Sequence, residues 1–263
     1  MYDAGLTKRH CNIYYEIYGE GSPLLFIHGL GSSTKDWKAQ IDYFSEHCKV
    51  IVIDLRGHGK SDKAAGPYSI PLFAEDISCL IKNLALKKVH ITGISLGGMI
   101  AMQLSIDHPE LVKSIIVVNS FSEFPQETFK ERFQVFLRFF IVRVMGMRKM
   151  GKVLANKLFP KPEHQQIRED MAMRWAKNDV KMYLKSMRAI LNCKLTERLK
   201  EINCPTLVLG AEFDYTPISE KELMTSRIKN AKLTIIKDSR HGTPLDQAEI
   251  FNKTLNDFLS KQN

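Results

Sequence analysis

Short apolar runs alternate with longer amphipathic segments in two stretches of the chain. The short runs are nearly continuous in valine, isoleucine and leucine, which is typical of strands covered on both faces of a sheet. The longer segments repeat apolar residues at every third or fourth position, which predicts helices. The predicted strands lie at 13–18, 24–27, 50–55, 89–92, 115–119, 206–210 and 233–237. The predicted helices include 71–86, 99–107 and 250–259.

Strands that alternate with helices favour parallel pairing through right-handed crossovers. The pattern therefore predicts the α/β class, with a mostly parallel, doubly wound sheet. Residues 1–120 and 201–263 are expected to form this core.

Residues 121–200 break the alternation, because they show helical periodicity without a convincing strand. A block of this length is too long for a loop inside a compact domain, so we expect a helical cap inserted between two strands. Within it, the segment 133–147 is apolar almost all round. We favour a helix that packs on the core and lines a pocket. A basic amphipathic helix at a membrane surface is the alternative.

Composition is that of a soluble globular protein, with 44% apolar and 25% charged residues. The five cysteines are scattered, without a CxxC pair or a cluster with histidines, so the sequence favours reduced thiols over disulfides or a zinc site. No cofactor or metal motif is expected. The first residues lack a signal-peptide pattern, and no apolar run is long enough to span a bilayer, so a cytoplasmic location is expected.

The net charge of +9 is concentrated in one segment. Residues 121–200 contain 18 lysines and arginines against 8 acidic residues. Such an excess attracts an anionic substrate, a phospholipid surface or nucleic acid. No nucleic-acid motif accompanies it, so nucleic acid is not an expected partner, and a solvated helical face is the more ordinary interpretation.

The strand predicted at 89–92 runs into Gly93-Ile94-Ser95-Leu96-Gly97-Gly98, and a helix follows. This is a G-x-S-x-G pattern in the strand–turn–helix context that a nucleophilic serine requires. The glycines permit a sharp turn that exposes the Ser95 hydroxyl at the carboxyl edge of the sheet. The backbone N–H of Leu96 then points at a reacting carbonyl and predicts one oxyanion donor.

A second glycine turn, His28-Gly29-Leu30-Gly31, follows the strand at 24–27. Ligands of open α/β sheets bind at the carboxyl ends of the strands. The backbone N–H of Leu30 is therefore a candidate second oxyanion donor.

Two later residues follow strands at the same predicted edge. His241 comes after the strand at 233–237, and Asp214 after the strand at 206–210. A serine hydroxyl needs a base to become nucleophilic, and the imidazole needs an acid to orient it. We predict His241 as the base and Asp214 as the acid, with Glu212 as the fallback acid. Asp54 is interpreted as structural.

Five motifs in this order resemble the α/β-hydrolase superfamily: HGLG (28–31), DLRGHGKSD (54–62), GISLGG (93–98), GAEFD (210–214) and RHGTPLDQAEIFN (240–252). They are most similar to compact carboxylesterases, enol-lactonases, C–C bond hydrolases and cofactor-free perhydrolases. The resemblance implies a triad of Ser95, Asp214 and His241, with an oxyanion hole at Leu30 and Leu96. Arg240 departs from the glycine that many relatives carry before the histidine.

The expected activity is hydrolysis of a small-molecule carboxylic ester, thioester or lactone through an acyl-enzyme. The phenylalanines and methionines of the cap favour an apolar acyl or aromatic group. C–C bond hydrolysis, acyl transfer or perhydrolysis on the same residues are alternatives, as is a ligand receptor without turnover. Peripheral lipid contact through the basic cap stays open, and the sequence leaves the oligomeric state undetermined.

Overall fold

A computed structural model describes residues 2–6, 11–124 and 129–262. Its centre is an eight-stranded sheet in the order β1-β2-β4-β3-β5-β6-β7-β8. The pairs β1·β2 and β2·β4 are antiparallel, and every other neighbouring pair is parallel. The strands are Tyr2–Leu6 (β1), Tyr14–Tyr18 (β2), Ser22–Ile27 (β3), Cys48–Ile53 (β4), Val89–Ile94 (β5), Val112–Val118 (β6), Thr206–Ala211 (β7) and Ala231–Ile236 (β8).

Helices cover both faces of this sheet. They are Lys38–Phe44 (α1), Ile70–Asn83 (α2), Leu96–Asp107 (α3), Phe129–Phe140 (α4), Gly146–Leu158 (α5), Gln165–Trp175 (α6), Val180–Leu191 (α7), Ile218–Arg227 (α8), Thr243–Asp246 (α9) and Ala248–Leu259 (α10). A π-helical turn, Ile141–Met145, joins α4 to α5.

Alternate side chains of the central strands enter two separate cores, because successive residues of a strand point to opposite faces. In β3, Leu25 and Ile27 pack in a core that also contains residues of α2 and α3. Leu24 and Phe26 pack in a second core that also contains residues of α1 and α10. The sheet is therefore doubly wound, and the α/β class predicted from the sequence is confirmed.

The predicted strands at 13–18, 24–27, 50–55, 89–92, 115–119, 206–210 and 233–237 all occur, with ends shifted by a few residues. Four strands or α-helices outside the cap were not predicted: β1, α1, α8 and the short helix α9. β1 is an edge strand that pairs only with β2, so the pattern of double-faced burial does not apply to it.

Helices α4 to α7 lie between β6 and β7, where a helical insertion was expected. Residues 125–128 of the predicted 121–200 cap lie outside the described residues, and its assignment as a separate domain stays a prediction. One side of the segment 133–147 lines a cavity that also contains Ser95, through residues such as Val135, Leu137 and Ile141. Its other side leaves phenylalanines exposed, at 133, 136 and 140. Pocket lining therefore accounts for only part of this apolar surface.

Within the described part of the chain, no helix combines the length and the apolarity needed to cross a bilayer.

Candidate active site

Ser95 occupies the sharp turn between β5 and α3. Its backbone has φ 55° and ψ −115°, a left-handed conformation that side chains other than glycine rarely adopt. Neighbouring glycines make the turn possible: a Cβ at Gly93 would lie 2.1 Å from the Gly97 carbonyl oxygen, and one at Gly97 would lie 2.2 Å from the Ile27 carbonyl oxygen. The backbone N–H of Ser95 donates to the Val118 carbonyl at 2.9 Å. The turn is thus fixed by its neighbours, as strained functional turns require.

The two predicted oxyanion donors belong to segments that converge on Ser95. Leu96 is the first residue of α3, and Leu30 lies in the turn after β3. A Cβ added at Gly29 would lie 3.5 Å from the Ser95 Cβ, so this turn passes beside the serine. In the described part of the chain, neither the Leu30 nor the Leu96 amide donates to a protein acceptor. Both amides are therefore available to a ligand oxygen.

His241 and Asp214 are in direct contact at the same edge of the sheet. The His241 Nδ1 lies 2.8 Å from the Asp214 Oδ1, which is the contact expected between a general base and its orienting acid. Ser95 and His241 line the same cavity, and each has about 8% of its surface exposed.

Asp214 has further partners that the sequence did not suggest. The ammonium of Lys221 donates to its Oδ2 at 2.8 Å and to the Thr216 carbonyl at 2.7 Å, and the Thr216 hydroxyl also donates to Oδ2. The side chains of Lys221 and Asp214 are 0% and 1% exposed. Burial alone would raise the pKa of Asp214, but the charges of His241 and Lys221 outweigh burial and hold it well below its usual range. Asp214 is therefore an anion at neutral pH.

Tyr215 occupies a position that the sequence did not predict. Its hydroxyl lies 3.0 Å from the His241 Nε2, and the two rings lie 4.2 Å apart between centroids. Desolvation of the phenol raises the pKa of Tyr215 and the charge of Arg138 lowers it, although the residue as a whole is 45% exposed. The Tyr215 oxygen thus contacts the imidazole directly. It occupies the His241 Nε2, the nitrogen to which the Ser95 hydroxyl would have to donate directly.

Asn119 ties the loops of this edge together. Its backbone is left-handed, with φ 44°, at the end of β6. The side-chain nitrogen donates to the His241 carbonyl at 2.9 Å, and the side-chain oxygen accepts from the Ala211 backbone N–H at 2.8 Å. Asn119 therefore positions both the histidine loop and the end of the strand that leads to Asp214. An asparagine directly after a buried strand was the only signal in the sequence.

The fallback acid is not placed to replace Asp214. The Glu212 carboxylate accepts from the Lys237 ammonium at 3.0 Å and from the Asp238 backbone N–H at 2.9 Å, and no His241 contact is among its hydrogen bonds. Asp54 has the expected structural contacts, because it accepts from the backbone N–H groups of Thr34 and Lys60 at 2.7 and 2.8 Å.

Two other histidines lie near this edge but are buried. His28 accepts from the Leu55 backbone N–H through Nε2 at 3.0 Å. Burial lowers the pKa of His28 to about 4 and that of His58 to about 3. Both are neutral at pH 7, and their contacts are those of structural histidines.

A cavity of about 800 Å³ opens beside Ser95 and His241. Its wall is mainly apolar and includes side chains from the segment between β6 and β7, such as Phe124, Leu154, Leu158, Met171 and Trp175. Ligand sites of this size are typically apolar with a few polar groups that orient the ligand. Across residues 2–6, 11–124 and 129–262, no group of three histidine, cysteine or acidic side chains is arranged to hold a metal ion.

The sheet order, the turn at Ser95 and the paired His241 and Asp214 define a hydrolase of α/β fold. The chain belongs to the family described as alpha/beta hydrolase fold, whose sequence profile matches residues 22–248.

Relatives of similar length support this assignment. The chain is 26% identical to 3-oxoadipate enol-lactonase 2 of Acinetobacter baylyi, over 98% of this chain and 97% of that protein. It is 30% identical to (E)-2-((N-methylformamido)methylene)succinate hydrolase of the same species, over 97% and 96%. The solved esterase EaEST of Exiguobacterium antarcticum superposes with a TM-score of 0.91, at 24% identity, over 99% of this chain and all of that chain. At that identity, the superposition concerns the fold alone.

Proposed function

We propose that this protein is a serine hydrolase that cleaves a carboxylic ester, thioester or lactone through an acyl-enzyme on Ser95. The observation that carries the proposal is the 2.8 Å contact between His241 and Asp214 beside a serine held in a strained turn. The relatives named as an enol-lactonase and a succinate-derivative hydrolase support a carbonyl substrate attacked by a nucleophile.

In the proposed reaction, the Ser95 hydroxyl attacks the substrate carbonyl while His241 Nε2 takes its proton. Asp214 keeps the other imidazole nitrogen protonated and stabilises the imidazolium that forms. The Leu30 and Leu96 amides donate to the oxyanion. The imidazolium then protonates the leaving alcohol. His241 next activates a water molecule that releases the acid and regenerates Ser95.

The substrate group that enters the cavity is expected to be largely apolar. Leucine, isoleucine, valine, methionine, phenylalanine and tryptophan residues together form most of the wall, and methionine adapts to different shapes. Each methylene that leaves water in such a pocket contributes about 0.8 kcal/mol.

A chain-length series of p-nitrophenyl esters tests the proposal. We expect many turnovers per enzyme molecule and a kcat/KM that rises from acetate to medium-chain esters. Absence of turnover with every ester, lactone and thioester tried would contradict a hydrolase and favour a ligand receptor. Faster turnover of short polar esters than of medium-chain ones would contradict only the apolar assignment of the cavity.

Tyr215→Phe is expected to raise kcat about fivefold, because the Tyr215 hydroxyl must leave His241 before Ser95 can transfer its proton. The estimate corresponds to the net free energy of one hydrogen bond, about 1 kcal/mol. Steady-state kinetics with p-nitrophenyl butyrate measures it, with Tyr43→Phe on the surface of α1 as the matched control. A fall of tenfold or more in Tyr215→Phe would instead make the phenol a necessary proton carrier between the two residues.

A further inference from the structure

Two basic side chains project from the inserted helices into a cavity that is otherwise mainly apolar. Arg138 comes from α4 and Lys157 from the last turn of α5, and both line the cavity that contains Ser95 and His241. Lys157 is exposed to solvent, but Arg138 is only partly exposed, and a cation held in an apolar cavity is costly to desolvate unless an anion compensates it. Because these cations share a cavity with the reacting serine, we expect a ligand that enters it to carry an anionic group.

Arg138 is only partly exposed, and its hydrogen-bond partner is a neutral side chain. Its Nε and Nη2 donate to the Tyr183 hydroxyl at 3.1 and 2.5 Å. Among the described side chains, it forms no ion pair with a carboxylate. A guanidinium has five N–H donors in a fixed fork, so one phenol oxygen leaves donors for a further acceptor.

Two tyrosines connect Arg138 to the reacting groups. Tyr183, which receives its hydrogen bonds, packs against the oxyanion turn: a Cβ at Gly31 would lie 3.0 Å from the Tyr183 ring. Tyr215, which bonds to His241, lies within range of the Arg138 charge. A ligand group bound to Arg138 would therefore lie in the same cavity as the carbonyl that Ser95 attacks.

Lys157 adds a second positive charge on the same cavity. Its Nζ lies 5.5 Å from the centroid of the Tyr215 ring, and it forms no ion pair within the described residues. Two acidic residues, Asp36 and Glu220, also line the cavity. Asp36 is compensated by Arg174 at 2.9 Å. The remaining balance of Arg138 and Lys157 against Glu220 is positive.

We propose that Arg138, assisted by Lys157, binds a carboxylate of the substrate, so that the preferred substrates are monoesters or lactones carrying a second, free carboxylate. An arginine fork can donate two parallel hydrogen bonds to a carboxylate, which gives orientation as well as affinity. The apolar wall of the shared cavity then accommodates a short hydrocarbon spacer between the carboxylate and the ester. Hydrolysis of the ester rests on the proposed function. Binding of the carboxylate by Arg138 does not.

The test compares a charged ester with a neutral one of the same shape: monomethyl glutarate and methyl 5-methylhexanoate, followed by acid release at constant pH. We expect Arg138→Met to lower kcat/KM for monomethyl glutarate about 10- to 100-fold, mainly through KM, as loss of a charged hydrogen-bond partner predicts. Turnover of the neutral ester should change less than about threefold. Arg138→Lys should retain part of the preference. Arg143→Met, an exposed arginine in the adjoining π-helical turn, is the matched control and should change neither ester.

Glutarate binding to Ser95→Ala, measured by calorimetry, separates the two proposals. Binding that is lost on adding Arg138→Met supports the carboxylate site even if no ester is hydrolysed. Two results together overturn the carboxylate site and leave the hydrolase proposal intact. In the first, the wild type hydrolyses the neutral ester at least as fast as monomethyl glutarate. In the second, Arg138→Met leaves glutarate binding unchanged. If Arg138→Met does not fold, the comparison between Arg138→Lys and Tyr183→Phe decides. A carboxylate site requires the lysine variant to weaken glutarate binding more than the phenylalanine variant does, and the reverse order overturns it.

Discussion

Ser95→Ala is expected to lower kcat for a p-nitrophenyl ester about 10⁴- to 10⁶-fold, because no other hydroxyl stands at the turn between β5 and α3. His241→Ala should cause a loss of the same order, since the serine hydroxyl is a poor nucleophile without a base. The double variant should lose little more than either single variant, because the two side chains act in one step. Steady-state rates on freshly purified protein measure all three.

The matched controls are Ser226→Ala, at an exposed serine of α8, and His47→Ala, after α1. Both should keep wild-type rates, and circular dichroism should show all variants folded. Substantial ester turnover by His241→Ala would remove the imidazole from the mechanism. Full additivity of the two losses would mean that Ser95 and His241 act in separate steps.

Asp214→Asn is expected to have two large effects at once. Loss of the orienting carboxylate should lower kcat about 10⁴-fold, because the imidazole can then adopt the wrong tautomer. It should also lower the free energy of unfolding by about 3 to 5 kcal/mol, because Lys221 would remain a buried ammonium without its counter-ion. Glu212 cannot rescue the rate, since its carboxylate is bonded to Lys237 and Asp238.

The double variant Asp214→Asn/Lys221→Met separates these two effects. Removing the ammonium should restore most of the stability while the rate stays low, as measured by urea unfolding and by ester turnover. Asp214→Asn with wild-type stability would show that the pair with Lys221 contributes little. Asp214→Asn with wild-type rate would show that another group orients the histidine.

The dependence of stability on pH should follow the Asp214 carboxyl. Its pKa in the folded protein is below the ordinary value of about 3.9 found in unfolded chains, so its stabilising contribution is fully present above that value. The contribution is lost as the pH falls from about 4 towards the folded pKa. The stability difference between wild type and Asp214→Asn should therefore narrow below about pH 4.

The sheet could be predicted from the sequence because its central strands are buried on both faces and stand out as apolar runs. The edge strand β1 and the surface helix α8 lack that signal. The buried residues of α8 are Lys221 and Met224. Because lysine is a polar residue, its burial leaves no apolar periodicity in the sequence. The positions of Ser95, His241 and Asp214 followed from the rule that parallel strands end at one edge.

The partners of these residues could not be predicted in the same way. Tyr215 follows Asp214 directly, and nothing in the sequence tells whether its ring faces solvent or His241. Asn119 bonds to residues more than ninety positions away, and such contacts exist only once the loops have met. The sequence also could not show which face of α4 lines the cavity and which is exposed. Phenylalanines occur both before and after Arg138, so the apolar residues do not mark one face.

Mass spectrometry of enzyme quenched during turnover of p-nitrophenyl butyrate is the most direct test of covalent catalysis at Ser95. We predict a mass increase of one butyryl group on the peptide that contains Ser95, absent from Ser95→Ala. Turnover of the ester without an acyl group at Ser95, or with the group on another side chain, would contradict the proposed mechanism.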